Sequence, residues 1–98
     1  MKGQLKLSPL AQYDLSEIWD YTAAQWNSDQ AETYIRRLAQ TMALIAAEPQ
    51  LGQPCPHIRE GYRRFPCGAH IMFYRLMDPD VEIVRILHKS MDFNRRLD

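Results

Sequence analysis

Neither sign of charge prevails in this chain, because twelve basic and twelve acidic residues cancel. No global field therefore draws it toward nucleic acid or an anionic membrane, and no sequence-specific nucleic-acid contact is expected. Cysteine is scarce: Cys55 and Cys67 form no CxxC pair, which signals neither a redox motif nor a zinc site and fits free thiols in a reducing compartment. No apolar stretch approaches a membrane span, and the opening MKGQLKLSPL lacks the long apolar region of a secretory signal. A soluble cytoplasmic protein with no membrane partner is expected. The four glycines are scattered and none opens a helix, so a phosphate-cradling loop is absent. His57, His70 and His88 lie far apart, none in a ligand spacing with a carboxylate or thiol. No metal and no other cofactor is expected.

What is there is enough for one folded domain, spanning residues 1–98. A chain of 98 residues cannot divide its burial between two cores, and 46% hydrophobic residues, with aromatics among them, argue against disorder. QLKLS alternates as a short strand. Ser8 and Pro9 then suit the N-cap and first position of a helix running to about Trp26. Its stripe is Ala11, Leu15, Ile18, Thr22 and Trp26, widened by Trp19, with Asp14, Glu17 and Asp20 facing elsewhere. NSDQ breaks the pattern, and Asp29 with Glu32 has the form of a capping box opening a second helix. Ala31, Ile35, Leu38, Met42 and Ile45 form its stripe, and Pro49 ends it near Glu48. The short link makes the two helices an antiparallel hairpin.

After a loop, YRRFP, AHIMFYRL and VEIVRILH read as three strands joined by short turns, the first resembling an edge and the second a central strand. The fold class is α+β, ordered β-α-α-β-β-β: a helical hairpin on a small antiparallel sheet, with SMDFNRRL as a short terminal helix or extension. Arg85 interrupts the last apolar strand and must face solvent or meet an acid. Alternation puts it on the face of Ile83 and Leu87. A local basic bias also appears, since Arg59, Arg63, Arg64 and Arg75 stand against the single acid Glu60 over residues 57–75.

The order of elements, together with LSPLAQYDLSEIWDYTAAQW, AAEPQLG, GYRRFPCGAHIMFYRL and VRILHKSMDF, resembles the ParE toxins of the RelE/ParE superfamily, the toxic halves of bacterial type II toxin–antitoxin pairs. The resemblance implies a growth-inhibiting toxin that poisons DNA gyrase. It also implies neutralisation by a ParD-like antitoxin whose C-terminal segment wraps the toxin.

Three chemistries compete for the residues. A triad of His88, Ser90 and Asp92 is disfavoured because its members share one short stretch, whereas a triad draws on separate elements. An endoribonuclease of the RelE kind, dependent on the ribosome, would need cations from Arg63, Arg64 and Arg75 and proton transfer by His88 or His70. The ribonucleases of that superfamily carry a tyrosine or histidine–tyrosine pair near the C-terminus, where this chain has Lys89 and Phe93. A binder needs apolar anchors and register-setting charges. His88, Lys89, Met91, Asp92, Phe93, Arg95 and Arg96 are the candidates for the target, and Arg59, Arg63, Arg64 and Arg75 for the antitoxin. The leading expectation is a binder without catalysis. An endoribonuclease, or an inactive domain that only forms the antitoxin complex, is the alternative.

Overall fold

In a computed structural model, described here for residues 3–91, 93 and 97, the chain forms β1 (Leu5–Leu7), α1 (Pro9–Gln25), α2 (Ser28–Ala47), β2 (Gln53–Pro54), β3 (Tyr62–Cys67), β4 (His70–Met77) and β5 (Asp80–His88). The strands make one sheet in the order β1-β5-β4-β3-β2. It is mixed rather than wholly antiparallel, because β1 lies parallel to β5. The two-residue β2, inside the stretch expected to be a loop, takes the outer edge from β3. Pro54 suits that edge, since a missing N–H costs least where no further strand follows.

Both helices start on side-chain caps. Ser8 Oγ accepts the Ala11 N–H, and Pro9 follows at the first helical position. The second helix opens two residues before the expected capping box, with Asn27 Oδ1 accepting the Gln30 N–H.

One cluster, between the helices and the sheet, contains Ala11, Ile18, Leu38, Met42, Ile45, Met72, Tyr74, Val81, Ile83 and Ile86, with Leu15 packed against it. Trp19 departs from the expected core and is 37% exposed, and Trp26, on the same stripe, is 72% exposed. A second cluster covers the other face of the sheet with Cys55, Phe73, Leu87 and Leu97, joined by Ile58, Ile71 and Phe93. The Phe73 and Phe93 rings meet edge to face at 4.9 Å.

Register explains what simple alternation could not. Phe73 pairs with Arg85 but Tyr74 pairs with Ile83, so Val84 is an extra residue on β5. Such a bulge reverses the alternation: Ile83 faces the helices, whereas Leu87 faces the second cluster. Where β1 ends, α1 takes over the uncovered edge of β5. Ser8 Oγ donates to Val84 O, and the Asp14 carboxylate accepts from Ile86 N–H at 2.9 Å and from Arg85 Nε and Nη2 at 2.8 Å each. Asp14, expected to face solvent, is therefore buried.

Candidate functional site

Beyond the sheet, α1 continues as an apolar ridge, and the space between it, the start of α2 and the ends of β4 and β5 is a cleft of about 590 Å³. Ile18, Tyr21, Trp26, Tyr34 and Met91 supply most of its wall, with His70 and His88 on the sheet side. This accounts for Trp26: its stripe runs past the end of the core and lines a groove instead.

The polar side of the cleft is a connected network. Tyr34 Oη accepts the Ala69 N–H at 3.1 Å and lies 3.2 Å from Cys67 O and 2.7 Å from His70 Nδ1. A single proton given to Cys67 O leaves Oη free to accept from His70 Nδ1–H, and every group is then satisfied. Burial, and after it the neighbouring His88, lowers the His70 pKa to about 4, so its imidazole is neutral at physiological pH. Burial likewise raises the Tyr34 hydroxyl above its usual value. His88 Nδ1 lies 2.7 Å from Ser90 Oγ, and the two histidine rings stand 5.4 Å apart, nearly perpendicular.

The arginines do not converge on this cluster. Arg63, Arg64 and Arg75 sit at the Tyr74, Phe73 and Arg75 levels of β4. These levels lie about 13, 10 and 17 Å of strand from His70, at about 3.3 Å per residue. Arg64 lies opposite Phe73 and so on the face away from the helices. Three of the four basic candidates already hold their own chain: Arg59 Nη1 donates to Leu97 O, Arg63 Nη1 donates to Gly52 O and Gln50 O, and Arg75 Nε pairs with Glu82. Arg64 has no hydrogen bond or ion pair among the described residues.

Of the tail candidates, Lys89 and Met91 are exposed, His88 is half-buried, and Phe93 packs on the second cluster. Asp92, Arg95 and Arg96 lie outside the described residues. Sequence reasoning missed Tyr34 and Trp26 as cleft residues, because Trp26 falls on a stripe that reads equally well as core and Tyr34 belongs to neither stripe. His57 stays apart from the cleft, on the exposed loop before β3.

A mixed sheet under a helical hairpin, with an apolar cleft beside the two helices, makes this a small α+β domain. A family model described as ParE toxin of type II toxin–antitoxin system, parDE, matches residues 5–93, and the chain belongs to that family. It is 44% identical over 98 residues to Toxin ParE1 of Mycobacterium tuberculosis, covering 99% of this chain and 100% of that one. It is also 44% identical over 92 residues to Toxin ParE1 of Caulobacter vibrioides, covering 94% and 95%. Toxin ParE of Escherichia coli is 32% identical over 93 residues, covering 93% and 89%. A solved chain titled as the chromosomal ParDE TA system from P. aeruginosa shares the fold, with TM-score 0.79 at 18% identity over 89% of this chain and 96% of that one. The chain is thus the toxin half of a type II pair, and an antitoxin is its partner.

Proposed function

We propose that this toxin acts by binding rather than by catalysis, that its target is DNA gyrase, that a ParD-like antitoxin neutralises it, and that it works in the cytoplasm. The observation that carries the binding reading is the separation of Arg63, Arg64 and Arg75 from His88. Charge stabilisation of a cleaved phosphodiester needs cations around the atom at which charge develops. Three arginines on β3 and β4, three to five strand levels from the histidines and two of them bonded elsewhere, do not supply that arrangement. The exposed Lys89 and Met91, beside the cleft, are the described tail residues we assign to the target. Arg64 is the uncommitted charge we assign to the antitoxin.

One observation favours the endoribonuclease reading. The fold brings Tyr34, His70 and His88 together, a hydroxyl-bearing aromatic beside imidazoles, though not from the tail. Against it, a Tyr34 hydroxyl raised above its usual pKa is a poor base, and an imidazole lowered to about 4 is a weak one. Purified toxin should inhibit supercoiling or trap cleaved DNA when incubated with gyrase, and leave mRNA on translating ribosomes intact. Codon-positioned mRNA cuts with unaffected gyrase would replace this reading with the endoribonuclease one.

A further inference from the structure

His70 and His88 are eighteen residues apart in the chain, but β4 and β5 set them directly opposite each other. The Lys89 N–H donates to Ala69 O at 3.0 Å, which makes residues 69 and 89 the hydrogen-bonded pair of the ladder. His70 and His88 are then the adjacent non-hydrogen-bonded pair, the kind whose Cα atoms approach to about 4.5 Å and whose side chains lie closest. Each Nδ1 is held by a hydroxyl group, Tyr34 Oη for one ring and Ser90 Oγ for the other. Neither Nε2 has a hydrogen-bond partner among the described residues, and no buried side-chain nitrogen or oxygen among them is left without one. Both Nε2 atoms therefore reach solvent, on residues that line the same cleft.

We propose that His70 and His88 form an open two-histidine site for a late first-row divalent cation of the Zn²⁺, Ni²⁺ or Cu²⁺ type, bound through Nε2 of each ring. Imidazole is the ligand these ions share. A metal–nitrogen bond of about 2.0–2.1 Å puts the ion about 3.2 Å from each ring centre. An ion held at that distance by both rings, whose centres are 5.4 Å apart, would be bonded at an angle of about 115°, close to the tetrahedral angle zinc adopts. The outer contacts suit the role, because a ligating histidine is normally oriented by a hydrogen bond from its other nitrogen. His70 Nδ1–H donates to Tyr34 Oη in the arrangement that also satisfies Ala69 N–H and Cys67 O. At His88 the Ser90 N–H also donates to Nδ1, at 3.1 Å. Ligation moves the ring proton from Nε2 to Nδ1, which then donates to Ser90 Oγ, and the Ser90 N–H, on an exposed turn, passes to water. Among the described residues no group of three or more His, Cys, Asp or Glu could hold an ion, so water completes the coordination sphere and the site stays open to the cleft. The sequence conceals the site because cross-strand partners have no fixed spacing.

The test uses Zn²⁺ added to the purified full chain without an affinity tag, followed by calorimetry and by long-range ¹H–¹⁵N spectra of the imidazoles. One equivalent should bind saturably, moving the Nε2 signals of His70 and His88 together while His57 stays still. His70→Gln and His88→Gln should each weaken binding roughly tenfold or more. The spectra of the unaltered chain decide the matter even if His70→Gln fails to fold. Absence of saturable binding, shifts centred on His57, or folded glutamine variants that bind as tightly as the parent would each overturn the proposal.

Discussion

The Asp14 carboxylate accepts three hydrogen bonds, two from the Arg85 guanidinium and one from Ile86 N–H, and so closes the length of β5 that β1 leaves bare. The Arg85 pKa is raised further by this bond. Removing one member of a buried pair strands the other's charge, at a cost of about 3–5 kcal/mol. Asp14→Ala should lose stability of that order in urea denaturation, and so should Arg85→Met, which leaves the buried Asp14 carboxylate with only the Ile86 N–H; the double replacement should lose less than the sum of the two, because it strands no charge. His70 makes a second prediction at this scale. In the folded chain it takes up its proton only near pH 4, whereas a solvated imidazole does so near 6.5. Between those values the unfolded chain binds more protons, so stability is complete above 6.5 and declines as the pH falls toward 4. Partial exposure of the ring moderates the size of the effect. With chelator present, His70→Gln should lack this decline while keeping the rest of the acid profile; an unchanged profile would mean the ring is solvated in the fold.

Among the elements, α1 and α2 divide their work unequally. Leu38 is fully buried between helices and sheet, and truncating such a side chain costs about 2–5 kcal/mol, so Leu38→Ala should lower the melting temperature markedly. Trp26→Ala should change stability by no more than about 0.5 kcal/mol while weakening inhibition of gyrase, the target to which Met91 in the same cleft is assigned. The reverse pattern would make the cleft part of the core. The helices, their hairpin and the three long strands were legible in the sequence because their periodicities persist over many residues. Less was legible where a single residue decides. Val84 shifts the alternation of β5, and one extra residue leaves no signature in composition. Asp14 reads as solvent-facing because its partner is 71 positions away. Phe93 and Leu97 pack against the second face of the sheet although the tail reads equally well as a grip. Of the site, His88 could be singled out from the sequence as a candidate, but its place opposite His70, which in turn meets Tyr34, could not, because that placement depends on register.

For the molecule as a whole, the neutral balance of charge hides a division of labour among the arginines. Arg63 fastens the loop carrying Gly52, which lies so close to Tyr74 that an added Cβ would sit 2.4 Å from the hydroxyl oxygen. Arg64 is available for a partner. Its side chain is half-buried and uncommitted. Charges at the rim of an interface act mainly on encounter and are screened by salt, so Arg64→Ala should slow association with the antitoxin and flatten its salt dependence, with little change in dissociation. Surface-based kinetics at several ionic strengths would reveal this, and a change confined to dissociation would mark Arg64 as a buried anchor instead. The pairing of β1 with β5 has another consequence, for the order in which the molecule comes into being. Leu5 has no strand beside it until Val81 has been made, and β4 lacks its inner neighbour until the same moment. A nascent chain leaving the ribosome N-terminus first can form its helical hairpin early but cannot close its sheet. Chains interrupted before β5 therefore lack the strand that joins β1 to β4, and a cell that aborts synthesis partway releases fragments without the toxin's fold.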